Sequence, residues 1–189
     1  VQGLGHVGSH LVELLYKDGA ELLVADIDKN RVDSIIEKYG CQYVNPSDII
    51  SQDVDIYSPC AFGATVNKDS ISQLKCKIIA GGANNVLQEA DRDSKLLIKK
   101  DILYAPDYVI NAGGLINVAN ELEGYDKEKA FNQAEKTYDT LMSVFKRAKK
   151  ESISTTKAAA LQAEDRIKKI ATLKSFYLPY KKTFKIRND

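Results

Sequence analysis

Three glycines and one aspartate near the start of the chain have the residue types and spacing of a phosphate- and ribose-binding site. Gly3, Gly5 and Gly8 form a G-x-G-x-x-G motif, and Asp26 closes the next apolar run. Glycines at this spacing let the backbone approach a pyrophosphate, which then lies at a helix N-terminus where free N–H groups favour negative charge. A carboxylate roughly 20 residues later accepts hydrogen bonds from ribose hydroxyls. The combination predicts a dinucleotide site, although the glycines alone also fit an ordinary strand–turn–helix.

The acidic residues after this apolar run favour NAD over NADP. A 2′-phosphate would lie close to Asp26 and Asp28, and like charges at such distances cost about 1 to 4 kcal/mol, depending on the local dielectric. Lys29 and Arg31 are near enough in the sequence to offset part of that repulsion. We therefore predict NAD as the cofactor.

Three later segments carry small residues and amides of the kind that a nicotinamide carboxamide and a polar substrate need. Their sequences are SPCAFG at 58–63, GGANN at 81–85 and NAGG at 111–114. Small residues allow close approach to the backbone, and an asparagine amide offers both a donor and an acceptor. Gly, Asn and Pro are also common in loops without function. Three such segments past strand ends favour a functional role.

The elements that must position these loops alternate between strand and helix patterns. Apolar residues at helical spacing follow the glycine loop as far as Leu15, and an unbroken apolar run at 22–25 fits a strand covered on both faces. Further strand patterns at 42–44, 54–57, 77–80 and 102–105 alternate with helical ones. This order predicts an α/β fold with a doubly wound, mostly parallel Rossmann sheet, whose strand C-termini share one edge. Only Val1 and Gln2 precede the loop, so we expect the first strand to be truncated.

Beyond residue 125 the pattern changes to two long amphipathic helices. We predict their apolar stripes from helical spacing, and Ser154 to Thr156 as N-cap candidates for the second helix. The stripes consist of Phe131, Ala134, Tyr138, Leu141, Met142 and Phe145, and of Ala160, Ala163, Ile167, Ile170 and Ala171. We thus divide the chain into a dinucleotide-binding domain at 1–125 and C-terminal helices at 126–189.

Composition gives no support for a nucleic-acid or membrane partner. The 27 basic and 26 acidic residues leave a formal net charge of +1, and no apolar run approaches the length of a membrane span. The basic residues from Lys168 onward fit a solvated or docking face better than a nucleic-acid surface. Cys41, Cys60 and Cys76 contain no C-x-x-C pair, which indicates reduced thiols in a cytoplasmic protein. We predict no metal site.

Several segments resemble the amino-acid dehydrogenases that act on glutamate, leucine, phenylalanine and valine. The most specific is APDYVINAGGLINV at 105–118, and VQGLGHVG at 1–8, DID at 26–28, PCA at 59–61 and AGGANN at 80–85 agree with it. The similarity extends over nearly the whole chain and is greatest to the leucine-type members. It implies NAD-linked oxidative deamination of an L-amino acid to a 2-oxo acid and ammonia by a cytoplasmic homo-oligomer. The catalytic lysines and aspartate would belong to an N-terminal domain that is absent here, and the terminal helices would pack toward that domain.

The resemblance also implies roles for individual residues, none of them catalytic. The loop of Gly3, Leu4, Gly5, His6, Val7 and Gly8 would cradle the pyrophosphate, and Asp26 with Ile27 would meet the ribose. Cys60 and Ala61 would line the path toward the nicotinamide, while Ala83, Asn84 and Asn85 would meet its ribose or carboxamide. Asn111 would contact the nicotinamide or the substrate main chain. Leu115 and Val118 would face the substrate side chain.

The sequence leaves the substrate side chain and the class of function open. Leu115 is common in phenylalanine-type members, whereas Asn117 favours the leucine type, and one methylene in such a pocket is worth only about 1–3 kcal/mol. Valine- and glutamate-type specificity are further alternatives. A non-catalytic NAD sensor and a methyltransferase are rivals from other classes, and residues 105–118 disfavour the sensor because it needs no substrate wall. We expect this chain alone to bind NAD without turning over an amino acid.

Overall fold

The computed structural model describes residues 1–122 and 124–174, with side chains as far as residue 172. Short strands alternate with helices as far as Tyr104, and only helices follow within the described residues. The elements are α1 (His6–Lys17), β1 (Leu23–Val24), α2 (Lys29–Tyr39), β2 (Gln42–Tyr43), a 3₁₀ turn (Ile49–Ser51), β3 (Ile56–Tyr57), α3 (Lys68–Gln73), β4 (Ile78–Ile79), α4 (Ala90–Lys99), β5 (Leu103–Tyr104), α5 (Asp107–Ile110), α6 (Gly113–Glu121), α7 (Lys127–Glu151) and α8 (Thr155–Lys174).

All strand pairs in the described part of the chain are parallel. β1 pairs with β2, and β4 lies between β3 and β5. Gln2 forms parallel bridges to both Ala25 and Pro59, so the segment before the glycine loop lies between β1 and β3. A cavity of about 360 Å³ lies beside Val1. These pairings confirm the predicted mixed α/β fold with parallel strands, and the doubly wound arrangement stays a prediction.

The parallel order brings the candidate loops to one edge. The carboxyl ends of parallel strands point the same way, so the segments after β1, β3, β4 and β5 emerge on the same side as the glycine loop. Two buried clusters hold these strands in place. One surrounds β3, β4 and β5 and includes the fully buried Ile79, and the other joins α1, β1 and α2 around Val12 and Val24. The loops at this edge are therefore held by strands that pack into these two buried clusters.

Helix α2 shows how the sequence sets the limits of an element beside the site. The Asp28 side chain accepts hydrogen bonds from the backbone N–H groups of Asn30 and Arg31 and thereby caps the first turn. The helix ends at Gly40, whose left-handed φ of 65° is easily adopted by glycine.

The terminal helices α7 and α8 form an antiparallel pair, but most of the contact between them is made by residues outside the predicted apolar stripes. The residues buried between them and α5 are small, namely Val144, Ala148, Ala158 and Ala159 with the half-buried Val109 and Ile153. Phe131 and Tyr138 are 62% and 68% exposed, and Ile167 is 67% exposed. Small side chains allow the two helix backbones to approach closely, so the larger apolar residues are left on the outside. Ser154 Oγ accepts from Lys157 N at 3.2 Å, which confirms the predicted N-cap region.

Two short helices replace what the sequence indicated as loop. Residues 111–114 do not directly follow a strand, because α5 intervenes between them and β5, and Gly113 and Gly114 form the first turn of α6.

Within the described residues, no helix is long and apolar enough to cross a membrane. The basic tail beyond residue 174 lies outside the described residues.

Candidate functional site

The glycine loop is tightly packed on one side and open on the other. Gly3 has a left-handed φ of 97°, and a Cβ atom there would lie 2.8 Å from the backbone nitrogen of Ala61. A Cβ atom on Gly8 would lie 1.9 Å from the carbonyl oxygen of Gly3. At Gly5 the nearest atom to such a Cβ, apart from its neighbours in the chain and among the described residues, is Nη1 of Arg31, at 3.9 Å. The first and third glycines thus close the loop on itself, while the second faces open space.

That open space lies at the start of α1. Gly5 is the N-cap residue, and no side chain of the described residues caps this helix end. His6 and Val7, the first helical residues, are both exposed. Unpartnered N–H groups at a helix N-terminus attract anions through hydrogen bonding and the helix dipole. The loop therefore offers the geometry that a bound phosphate needs.

Asp26 lies directly beside this loop, as predicted from its spacing. One carboxylate oxygen accepts from Leu4 N at 2.5 Å, and the other accepts from Asp28 N at 2.8 Å. Asp28 is itself engaged, because it caps α2 and pairs with Arg31 Nε at 3.2 Å. Ile27 projects outward and is 84% exposed. The arrangement places a fixed negative charge next to the open face of the glycine loop.

The segment after β3 contacts both the glycine loop and the segment after β4. Gly82 N donates to Cys60 Sγ at 3.4 Å. A Cβ atom on Gly82 would lie 2.5 Å from the Val7 side chain. Burial raises the pKa of the Cys60 thiol, and the bond from Gly82 offsets only part of that effect. Cys60 therefore remains a neutral thiol near pH 7, in keeping with a lining residue and not a nucleophile.

Asparagines and small residues from different segments meet at the far end of this edge. Asn111 Nδ2 donates to Asn84 Oδ1 at 2.5 Å and to the carbonyl oxygen of Ala83 at 3.4 Å. Asn84 and Asn85 are exposed, and Asn85 has a left-handed φ of 52°. The carbonyl oxygen of Asn85 accepts from Ala64 N at 2.7 Å. The structure thus brings together the three segments that the sequence singled out, with Asn84 and Asn85 exposed and Asn111 half-buried.

The two residues expected to face a substrate lie further along the chain, on α6. Leu115 and Val118 are 75% and 55% exposed, and no cluster of buried apolar residues includes them. Leu122 directly follows α6 and is 84% exposed, so it continues the spacing of the same helical face. Leu122 was assigned no role from the sequence, and its i+7 spacing from Leu115 puts it on the same face. Among the described residues there is no group of three side chains that could hold a metal ion.

Comparison with known proteins agrees with this geometry. Residues 22–175 match the family model of the glutamate/leucine/phenylalanine/valine dehydrogenases. The chain belongs to this family. A leucine dehydrogenase of Thermoactinomyces intermedius is 46% identical over 178 residues, which are 94% of this chain and 48% of that protein. A leucine dehydrogenase of Bacillus cereus is 48% identical over the same shares of both chains.

Two solved structures of dehydrogenases are similar to the structure of this chain. The crystal structure of L-tryptophan dehydrogenase from Nostoc punctiforme has a TM-score of 0.87 and 48% identity, over 89% of this chain and 50% of that one. A hetero-hexameric glutamate dehydrogenase from Thermus thermophilus has a TM-score of 0.70 at 20% identity, over 94% of this chain and 47% of that one, which shows a shared fold. The chain spans about half the length of the curated relatives it matches.

Proposed function

We propose that this chain is the NAD-binding half of a leucine-type amino-acid dehydrogenase. Residues 1–125 would form a doubly wound Rossmann domain, and residues 126–189 would pack toward a catalytic domain that this chain does not contain. The observation that carries the proposal is the open face at Gly5, bordered by the Asp26 carboxylate and by Gly3 and Gly8, where an added Cβ atom would lie within 3 Å of neighbouring backbone atoms. Family membership supports the same interpretation.

The residues at the sheet edge fit a nicotinamide dinucleotide. The loop from Gly3 to Gly8 would hold the pyrophosphate, and Asp26 and Ile27 would meet the adenosine ribose. Cys60 and Ala61 would line the path to the nicotinamide, and Ala83, Asn84, Asn85 and Asn111 would contact its ribose and carboxamide. When bound, NAD accepts the hydride from the substrate, and the chain supplies its position and orientation.

We assign the acid–base chemistry to groups outside this chain. Deprotonating an amine and activating water require positioned groups that exchange protons near neutral pH. The amides of Asn84 and Asn111 bind and orient but are not proton acceptors, and the Cys60 thiol has a raised pKa. Asn111, Leu115 and Val118 would instead form one wall of the substrate site. We therefore expect the isolated chain to bind NAD and to produce no NADH from an amino acid.

A pair of glycine variants tests the cofactor site. Gly5→Ala places a methyl group in open space, so the melting temperature of the free chain should stay unchanged while the Kd for NAD rises about tenfold or more. Gly8→Ala drives a methyl group into Gly3 and should lower both stability and affinity. The measurements are calorimetric titration with NAD and NADP and thermal unfolding. Binding of NAD by Gly5→Ala as tight as by the wild type would contradict the proposal, as would preference of the wild type for NADP.

A substrate panel tests the specificity in the intact protein. We expect NADH formation to be fastest with L-leucine and slower with L-phenylalanine, L-valine and L-glutamate. An aromatic substrate is the second candidate, because L-tryptophan dehydrogenase of Nostoc punctiforme is 49% identical over 88% of this chain. Tight NAD binding without turnover of any of these amino acids would favour the non-catalytic sensor.

We also propose a cytoplasmic homo-oligomer. Cys41, Cys60 and Cys76 are all free thiols, which fits a reducing compartment. The exposed apolar residues of α7 and α8 offer a surface for contacts between subunits.

A further inference from the structure

Asp107, the first residue of α5, is a buried carboxylate to which the sequence analysis gave no role. It is 8% exposed. One oxygen accepts from Val86 N at 3.3 Å, and the other accepts from Tyr104 Oη at 3.1 Å. A carboxylate removed from water is strongly destabilising unless it is hydrogen-bonded, so these partners hold it in one position. Burial and the adjacent carboxylate both raise the pKa of Tyr104, which keeps the phenol as a donor.

The backbone N–H of Val86, which donates to Asp107, belongs to the asparagine-bearing loop of the candidate site, residues 83–86. Val86 follows Asn84 and Asn85 directly. Asn111, four residues after Asp107, donates to Ala83 and Asn84 at the other end of the same loop. Residues four apart lie on one side of a helical turn. One turn of helix therefore contacts both ends of residues 83–86.

The terminal helices hold this turn in place. Tyr108 Oη donates to the carbonyl oxygen of Thr156 at 3.0 Å, and Val109 packs into the apolar cluster of α7 and α8. Thr155 Oγ1 donates to the carbonyl oxygen of Tyr104 at 2.7 Å, just before α5. The terminal helices thus hold the helical turn that carries Asp107, and the Asp107 carboxylate binds the loop of residues 83–86.

We propose that Asp107 is a positioning residue that holds residues 83–86 at the nicotinamide end of the cofactor site without touching the cofactor. The inference rests on the proposed function, because it takes the asparagines of this loop as ligands of the nicotinamide half. Asp107 acts there through the backbone N–H of Val86. Its loss should weaken binding of the nicotinamide half and leave binding of the adenosine diphosphate half unchanged.

The test compares NAD with ADP, which lacks both the nicotinamide and its ribose, on the 189-residue chain. Asp107→Ala removes both hydrogen bonds, and we expect the Kd for NAD to rise about tenfold while the Kd for ADP stays the same. Asp107→Asn keeps an acceptor for Val86 N and can donate to Tyr104 Oη, so it should restore most of the NAD affinity. Tyr104→Phe removes the hydroxyl that donates to the Asp107 carboxylate and accepts from Asp107 N, but leaves the bond from Val86 N. It serves if the alanine variant does not fold, with an expected rise of about threefold for NAD alone.

Asp93 provides a matched control. It is also a fully buried carboxylate that accepts one backbone and one side-chain hydrogen bond, from Glu89 N at 2.7 Å and Arg92 Nε at 2.8 Å. Asp93→Asn should lower the melting temperature without changing the ratio of the two Kd values. An equal loss of both ligands in the Asp107 and Tyr104 variants, or no loss of NAD, would overturn the positioning role. A wild-type chain that binds neither ligand would instead overturn the proposed function.

Discussion

At the residue scale, the candidate site depends on the missing side chains of its glycines and on the fixed carboxylate of Asp26. Gly3 and Gly8 permit contacts with Ala61 and with each other that a Cβ atom would prevent. Asp26 uses both of its oxygens to bind backbone N–H groups, so its charge is fixed beside the loop and not carried on a mobile side chain. A cofactor hydroxyl can share an oxygen that already accepts one bond, since a carboxylate has about four acceptor positions. The same residue thus shapes the loop and supplies the charge that would repel a 2′-phosphate.

Removing that charge should reduce the preference for NAD. In Asp26→Asn the amide oxygen can still accept from Leu4 N, but the bond from Asp28 N and the repulsion of a 2′-phosphate are both lost. We expect the Kd for NAD to rise about tenfold and the NAD-to-NADP preference to fall by a similar factor. The check is a titration of both cofactors. Asp55→Asn, at an exposed carboxylate paired with Lys77, serves as the control, and an unchanged preference in Asp26→Asn would refute the assignment.

At the element scale, tertiary contacts define helices that the local sequence does not favour. Residues 105–114 contain Pro106, Asn111 and two consecutive glycines, and glycine disfavours a helix by about 1 kcal/mol per residue relative to alanine. α5 exists because its residues pack on α7 and α8 and bind the loop before α4.

One lysine joins α4 to the end of α3, and its loss should destabilise the fold. Lys100 Nζ donates to the carbonyl oxygens of Ile71, Ser72 and Leu74 at 2.8–3.0 Å, and a cation at a helix C-terminus also favours the helix dipole. Lys100→Met keeps the aliphatic stem and removes the charge. We expect a loss of about 1–2 kcal/mol in the free energy of unfolding.

Urea denaturation at constant pH measures this effect, with Lys99→Met as the matched control. Lys99 is exposed and lies on the same helix. Equal stability of the two variants would show that the three carbonyl bonds contribute nothing net.

At the scale of the whole molecule, the long terminal helices expose several large apolar side chains. Phe131, Tyr138 and Ile167 are each more than 60% exposed, while the contact between α7 and α8 uses mainly alanine and valine. Monomeric proteins rarely expose several large apolar side chains together, and such surfaces usually mark interfaces. The proposed homo-oligomer would cover this face.

Polar substitutions on α7 should therefore weaken self-association. We expect Phe131→Ser combined with Tyr138→Ser to shift the intact protein toward smaller species in light scattering coupled to size-exclusion chromatography. The melting temperature measured at the lowest protein concentration should change little, because neither side chain is buried within the chain. Ile98→Ser, at an apolar residue of α4 with 54% exposure, is the control. A double variant that keeps the wild-type mass would place the subunit interface elsewhere.

The sequence by itself determined the features that depend on local spacing. The G-x-G-x-x-G motif, the carboxylate at Asp26, the glycine end of α2 and the alternation of strand and helix all follow from short-range backbone and side-chain preferences. Parallel pairing followed from that alternation, because helical crossovers return each strand in the same direction. The gathering of residues 60–61, 82–85 and 111 along one edge of the sheet could be predicted on the same grounds.

Only the tertiary structure decided which side chains are buried and which groups they reach. The sequence showed apolar stripes on α7 and α8 but not that alanines would form the contact, because the buried face depends on how closely two backbones approach. It contained Asp107 without indicating that the carboxylate would reach Val86, 21 residues earlier in the chain. Such pairings depend on the relative placement of β4 and β5, which brings distant residues within hydrogen-bonding distance. Local preference sets the elements, and packing between them sets the site.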